Sequence, residues 1–269
     1  MYRVSLQRRG WRIVKTALRA LAAVLMILPS YALLAYVLLP ASWSQLQKRL
    51  PSQATGISYT AEGIPADPLN VALVGTREEV VLAMRAAGWV AADRITLRSG
   101  WRDAHSVLFN HSYPAAPVST HYLANRPQDL AFEQQVGKSP RQRHHVRFWL
   151  VDEPSPSPSP SGSTRPLWIG AATYDATLGV SHFTGEVMHH IDPDVDRERE
   201  RLLRDLEAGG VVEKVVRAEN FRPAGGGRNG GGDPYRTDGT LAIAVLRAPG
   251  GSACYPAREA PEASRSAKS

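Results

Sequence analysis

Cysteine is almost absent from the sequence, because the single one, Cys254, stands near the C-terminus. One cysteine can form neither an intramolecular disulfide nor a cysteine metal cluster, so folding cannot depend on oxidation. Acidic residues are missing from the first 50 positions, which hold eight of the 32 Lys and Arg residues. The rest of the chain therefore carries 24 basic and 25 acidic residues and is close to neutral. This balance removes the argument for a nucleic-acid partner that a pI of about 9.7 would otherwise make.

Charge is also missing from Ala20 to Leu39, an apolar run of 20 residues. A helix of this length spans about 30 Å, the thickness of the hydrocarbon core of a bilayer. Six Lys and Arg residues precede the run, and the positive-inside rule keeps such a segment in the cytoplasm. We therefore predict a cytoplasmic N-terminus at residues 1–19, a transmembrane signal anchor at residues 20–40, and a main domain outside the cytoplasmic membrane.

A cleaved signal peptide is the alternative interpretation of this N-terminus. Its apolar core is usually shorter, about 7 to 15 residues, and its cleavage site needs small residues at positions −3 and −1. The candidate pairs here are Leu39 with Ala41 and Pro40 with Ser42, and neither fits well. The sequence favours a retained anchor.

Periodic patterns beyond the anchor predict an α+β domain at residues 67–247. Residues 69–75 have the apolar composition of a buried strand, and Thr76 with Glu79 forms a capping box that opens a helix. Residues 144–150 alternate as a strand does, with residues 167–173 as its antiparallel partner. The other predicted elements are helices at 96–109 and 193–207, the latter capped by Asp192, a loop at 110–127, a helical turn at 129–135, and strands at 211–216 and 241–246. Together they predict a mainly antiparallel sheet with helices on one face, related to a ferredoxin-like arrangement.

Segments of low complexity border and interrupt this domain. We expect a juxtamembrane spacer at residues 41–66, an extended Ser-Pro connection at 154–160, and a disordered tail at 248–269. Gly225, Gly227 and Gly230 match a dinucleotide-binding pattern. No strand and helix frame them as that site requires, so we expect a flexible loop at residues 225–232.

Several separated blocks resemble the LssY C-terminal domain family of bacterial proteins. These blocks are DPLNVALVGT (67–76), RPQDLAFEQ (126–134), SPRQRHHVRFW (139–149), WIGAATYD (168–175), GVSHFTGE (179–186) and HHIDPDVDRERE (189–200). The resemblance extends to residue 217, and DPYRTDGTLAIAVL (233–246) is similar to its closing piece.

The resemblance implies a bacterial envelope protein, with a multi-pass membrane protein or a secretion-related protein as partner. Members of this family occur beside multi-pass domains of the lipid-phosphatase type, and the founding member belongs to a secretion-associated locus. The resemblance implies no activity. This chain departs from those fusions in having a single anchoring helix.

Phosphoryl-ester hydrolysis is one hypothesis for the external domain, with a lipid headgroup as substrate. Arginine guanidinium groups can bind oxyanions in bidentate fashion, and histidine with aspartate can act in acid, base or nucleophilic catalysis. If the chain has such a polar site, we expect these residues to converge there: Arg126, Asp129, Arg141, Arg143, His145, Asp175 and His182.

Metal binding is a second hypothesis, because residues 182–196 contain three histidines and three aspartates. No HExxH frame or calcium loop is present, and aspartates before a helix normally cap it. The sequence therefore predicts no metal site and identifies no cofactor.

A non-catalytic module is the third hypothesis. Without a complete catalytic frame, the sequence favours a domain that binds an envelope ligand or partner, and hydrolysis remains the alternative. Whether the protein is an enzyme, and its oligomeric state, stay open at this point.

Overall fold

The computed structural model describes residues 2–42, 56–93, 115–137, 141–152 and 165–248, with isolated positions at 96, 99, 101, 105 and 113. Apart from those positions, the helix predicted at 96–109 lies outside the described residues. The Ser-Pro connection and nearly all of the predicted tail also lie outside them.

The N-terminal helix has the character of a membrane span. Helix α1 (Tyr2–Leu33) continues into a π-helical segment (Leu34–Leu38). Val14–Ser42 is apolar and long enough to cross a membrane, and only 6% of its most apolar window is buried in the protein. Leu25, Met26 and Ile27, which follow one another around the helix, are all more than 60% exposed. A core helix of a soluble domain would bury part of this surface.

Two further helices and fourteen strands are present in the described part of the chain. The helices are α2 (Arg77–Ala86) and α3 (Val195–Ala208). The strands are β1 (Ile57–Tyr59), β2 (Pro65–Pro68), β3 (Val71–Val74), β4 (Val90–Ala91), β5 (Tyr122–Leu123), β6 (Arg126–Pro127), β7 (Leu130–Gln135), β8 (Arg143–Asp152), β9 (Leu167–Val180), β10 (Val187–Ile191), β11 (Val212–Ala218), β12 (Gly225–Arg228), β13 (Pro234–Thr237) and β14 (Leu241–Leu246).

The main sheet has the strand order β11-β14-β3-β9-β8-β7-β4, and β10 pairs with the far half of β9. Each neighbouring pair in it is antiparallel except β14 with β3. A smaller sheet has the order β2-β1-β5-β6, and β12 pairs with β13 as a separate hairpin. The prediction of an α+β fold with a mainly antiparallel sheet is confirmed.

Helices α2 and α3 cover one face of the main sheet. Val146 and Phe148 of β8 point to this face and pack in one buried cluster with Met84 of α2 and Leu202 of α3. The opposite face carries a second apolar cluster, formed by β3, β14, the first half of β9 and the end of β8, where Trp149 lies. The remaining part of that face carries charged side chains, and it holds the candidate site described below.

Helix starts follow the predicted chemistry in one case and shift by two residues in the other. The Thr76 hydroxyl accepts a hydrogen bond from the Glu79 backbone, and the Glu79 carboxylate accepts one from the Thr76 backbone, as a capping box requires. Helix α3 is capped by Asp194, whose side chain accepts from the Arg197 backbone. Asp192, the predicted cap, instead accepts from the Asp194 backbone and pairs with the Arg197 side chain.

Three local predictions are wrong because pairing between distant segments decides the structure. The predicted turn at 129–135 is strand β7, since the edge of β8 offers it a six-residue ladder. The predicted loop at 110–127 contains the hairpin β5-β6, whose turn residues Ala124 and Asn125 have positive φ. The predicted glycine loop begins with strand β12, where Gly227 leaves room for Tyr235: a Cβ there would lie 2.6 Å from the phenol oxygen.

The range predicted as a spacer contains ordered structure from residue 56 onward. Strand β1 and the start of β2 lie within it. This places Asp67 of β2 against the charged face of the main sheet.

Asn70 connects three parts of the fold, which allows a prediction about stability. Its amide donates to the carbonyls of Ala172 in β9 and Val195 in α3, and its carbonyl accepts from the Ala172 backbone. Asn70→Ala removes three buried hydrogen bonds, so we expect a loss of about 3 kcal/mol in the free energy of unfolding. Thermal unfolding of the detergent-solubilised chain measures it. The control is Gln142→Ala, because Gln142 is exposed and donates one bond to Ala176; equal effects of the two variants would contradict the prediction.

Candidate functional site

Charged side chains from three adjacent strands face the smaller sheet, on the side of the main sheet opposite α2 and α3. The strand register places Glu133, His145 and Thr173 side by side, and Arg143 next to Asp175. The smaller sheet and the segment before β5 contribute Asp67 and His121. All seven side chains are buried.

Arg143 joins β7 to β9. Its Nε donates to Asp175 Oδ2 at 2.8 Å, and its Nη1 donates to Glu133 Oε2 at 3.0 Å. Only 7% of the Arg143 side chain is exposed. A buried guanidinium is tolerated when carboxylates and acceptors surround it, so this arrangement fixes the positions of all three groups.

Arg147 forms a second buried ion pair on the same face. Its Nη1 donates to Asp67 Oδ2 at 2.7 Å, and its Nε donates to the Ser119 carbonyl at 3.0 Å. This pair attaches the smaller sheet to the main one.

His145 lies between the two ion pairs. Its Nδ1 is 3.3 Å from Asp175 Oδ2, and its Nε2 is 2.7 Å from both the Thr173 hydroxyl and Arg147 Nη1. Arginine can only donate, so Nε2 accepts in this geometry and the ring proton lies on Nδ1, facing Asp175. Burial alone would lower the pKa of His145, but the Asp175 carboxylate outweighs it and raises that pKa. A second proton on the ring would exchange the Arg147 contact for Asp67, whose carboxylate is 3.9 Å away.

Burial and neighbouring charges shift the pKa values of the buried carboxylates in opposite directions. Burial opposes ionisation of Asp175, yet His145 and Arg143 hold its pKa well below the usual range. Burial likewise opposes ionisation of Asp67, and neighbouring His121 and Arg147 again hold that pKa low. Burial lowers the pKa of His121 to about 4, so His121 is neutral near pH 7 and Arg147 supplies the lasting charge beside Asp67. Burial raises the pKa of Glu133 to about 7 although Arg143 is adjacent.

A cavity of about 910 Å³ opens onto this face. Arg143, His145, Arg147, Asp67 and Asp175 line its floor, and the rim contains Arg141, Glu62, Glu186 and Tyr36. Tyr36 comes from the membrane-span segment, so the cavity is walled partly by the domain and partly by that segment.

The turn between β9 and β10 packs directly on the same segment. The Tyr36 hydroxyl accepts a hydrogen bond from the Val187 backbone at 3.1 Å. The Tyr31 hydroxyl donates to the Gly185 carbonyl. These contacts set the position of the cavity relative to the span.

The structure brings together some of the residues predicted to converge and separates others. Arg143, His145 and Asp175 meet in the floor, and Arg141 lies at the rim. Arg126 and Asp129 pair with each other instead, and Asp129 accepts from the Leu150 backbone, about 20 Å along β8 from Arg143. His182 is exposed and contacts His190 on another side of β10. These three do not share the cavity, because the register of β8 and the hairpin β9-β10 direct them elsewhere.

Four residues of the site were not predicted. Asp67, His121 and Arg147 line the cavity, and Glu133 lies behind Arg143. Glu133 follows from the alternation of β7 once that segment is recognised as a strand, and Arg147 shares the parity of Arg143 and His145. Asp67 and His121 reach the site only through the smaller sheet, for which the local pattern gives no signal.

Comparison with known proteins gives a family and no closer relative. The family model described as LssY C-terminus matches residues 43–241. The matched range contains every cavity-lining residue except Tyr36. No curated protein and no solved structure matches the chain.

The pKa of His121 is lowered and that of Glu133 is raised, so the two groups predict opposite effects of pH on the stability of the fold. With a folded pKa of about 4 against about 6.5 unfolded, His121 binds protons mainly in the unfolded state, so it lowers stability as pH falls through this window. Glu133, at about 7 folded against about 4.3 unfolded, raises stability as pH falls through its own window.

When the pH is lowered from 6.5 to 4.5, we expect the melting temperature of His121→Gln to fall less than that of wild type. We expect the melting temperature of Glu133→Gln to fall more than that of wild type. Melting temperatures measured at intervals across pH 4.5–7.5 test this. Each variant serves as the control for the other, because the groups facing them, Asp67, Arg147, Arg143 and His145, are unchanged. Curves parallel to wild type for both variants would contradict the assignment.

Proposed function

The chain belongs to the LssY C-terminus family, and on that premise we propose that it is a single-pass protein of the bacterial inner membrane that binds the headgroup of an envelope lipid. The N-terminus lies in the cytoplasm and the domain lies outside, next to the outer leaflet. The ligand occupies the cavity between the domain and its anchor.

One observation carries this proposal: Tyr36 of the membrane-span segment lines the same cavity as buried Arg143, His145 and Asp175. A lipid at the end of the anchor can therefore place its headgroup in the cavity while its acyl chains stay in the bilayer. Val180 and Val187, opposite each other in the hairpin beside the anchor, are each more than half exposed. Exposed apolar side chains beside the end of the anchor suit the membrane interface.

The charges of the cavity favour a headgroup that carries both signs. Guanidinium and imidazole groups in the floor suit a phosphate or carboxylate oxyanion. Glu62 and Glu186 at the rim suit an amine; both are partly exposed, and burial raises the pKa of Glu186. An amine-bearing phosphate ester matches this distribution better than a simple anion.

The orientation is tested with the single cysteine, Cys254. A membrane-impermeant maleimide added to intact spheroplasts should label it, since the domain is proposed to face outward. Lysed and denatured cells give the maximum label. Labelling that appears only after lysis would place the domain in the cytoplasm and contradict the proposal.

Lipid binding is tested on the full chain in mild detergent after removal of bound lipid. Titration with phosphatidylethanolamine should raise the melting temperature and saturate. Arg141→Ala should weaken binding about fivefold, since an exposed ionic contact contributes about 1 kcal/mol.

The matched control is Arg126→Ala, which removes an exposed arginine outside the cavity. Phosphatidylglycerol and phosphatidylcholine show whether the amine matters. Equal responses to all lipids, or equal weakening by both arginine variants, would contradict binding in the cavity.

Hydrolysis of a phosphoryl ester is the second candidate function, favoured by the position of Asp175 beside His145 Nδ1. In this chemistry His145 would take a proton from the attacking water as the water oxygen bonds to phosphorus. The ester P–O bond would break, and His145 would pass the proton to the departing oxygen, which leaves as an alcohol. The Nε2 atom of His145, however, already contacts the fully buried Thr173 hydroxyl and Arg147. Because these contacts occupy the ring, the geometry supports binding more directly than hydrolysis. Alcohol or free phosphate released in the lipid titration, and abolished by His145→Gln, would establish hydrolysis instead.

A further inference from the structure

Three side chains outside the cavity lie together where the β9-β10 hairpin meets the loop between β12 and β13. They are His182, His190 and Asp233, and one potential ligand atom from each lies within 4.8 Å of the others. They are separated by up to 51 residues in the sequence, so the fold alone assembles them.

The Asp233 carboxylate is held in a fixed orientation. It is 5% exposed, and its Oδ2 accepts from the Ile191 backbone at 3.1 Å and from the Asn229 amide at 3.3 Å. Its Oδ1 is thereby directed to His190 Nδ1, 2.5 Å away. Carboxylates that ligate metals are commonly oriented by such outer contacts.

His182 is positioned by its backbone while its ring stays accessible. Its N–H donates to the Gly231 carbonyl at 2.8 Å. Gly232 has a φ of +89°, and a Cβ at that position would lie 2.7 Å from His182 Cβ, so the loop packs closely under the histidine. The His182 ring is 5.9 Å from the His190 ring, centre to centre, and within the described residues it makes no hydrogen bond.

We propose that His182, His190 and Asp233 bind a divalent transition-metal ion, for which Zn²⁺ is the first probe. Two imidazoles and one carboxylate are a donor set that Zn²⁺ and neighbouring first-row ions accept, with the remaining positions open to water. Zinc bonds of about 2.0–2.2 Å hold tetrahedral ligand atoms about 3.4 Å apart. His190 Nδ1 and Asp233 Oδ1, now 2.5 Å apart, separate to admit the ion, which replaces their hydrogen bond. Rotation of the exposed His182 ring brings its nitrogen to the ion.

The ion would connect the β12-β13 loop to the hairpin that packs on the anchor. None of its three ligands lines the lipid cavity, so the proposal does not depend on lipid binding. The sequence predicts no metal site, and the hypothesis set aside there combined His182, His189 and His190 with the aspartates at 192–196; the carboxylate proposed here is Asp233.

The test uses the full chain in detergent, purified without a polyhistidine tag, carrying Cys254→Ser and stripped with a chelator. Isothermal titration with ZnCl₂ should give one equivalent bound, and the melting temperature should rise with free Zn²⁺. CaCl₂ should have no such effect, since Ca²⁺ prefers all-oxygen sites.

His182→Ala is the informative variant, because its ring makes no hydrogen bond in the described structure and its loss should leave the metal-free melting temperature unchanged. We expect Zn²⁺ affinity to fall at least tenfold in His182→Ala and in Asp233→Asn. The control is His105→Ala, an exposed histidine elsewhere, which should bind as the parent does. Absence of a saturable site in the parent, or unchanged affinity in His182→Ala, would overturn the proposal.

Discussion

The contact on which this domain depends is the buried bridge from Arg143 to Glu133 on one side and Asp175 on the other. A guanidinium out of water is costly unless acceptors surround it, and here two neighbouring strands supply them. Because side chains alternate along a strand, a slip of one residue in β8 would move Arg143, His145 and Arg147 under the helices and bring Val146 and Phe148 to the charged face. The bridge therefore selects one register for three strands, and with it the position of every group in the cavity floor.

The floor acquires its chemistry from this pairing. Each cation in it already has a carboxylate partner, so an incoming ligand competes with existing ion pairs and must match their geometry. This condition favours selective recognition over strong attraction of any anion. Tyr36 forms part of the cavity wall, so the cavity is complete only while the domain packs against the membrane-span segment.

Local chemistry determined what could be predicted from the sequence. The Thr76 capping box, the alternation through β8 and the apolar run of β14 each lie within a few residues, and the structure contains all three. The strand identity of β7 depended on a partner that a seven-residue window does not contain, so Glu133 was missed. Asp67, His121 and Asp233 reach their neighbours through contacts between distant segments. Arg126 and His182 have suitable chemistry, but strand register and a hairpin direct them away from the cavity, which residue type alone cannot reveal.

The parallel pairing of β14 with β3 also constrains the order in which the domain can form. Strand β14 lies between β3 and β11 in the sheet although it is the last of the described strands, some 170 residues after β3 in the chain. Until it arrives, β3 has an open edge and the cluster beneath α2 lacks Ala244 and Leu246. A chain emerging N-terminus first can therefore form its hairpins early but cannot close its core before residue 246 has been delivered. The core therefore stays incomplete until synthesis reaches β14, and loss of this strand is a far more damaging truncation than its six residues suggest.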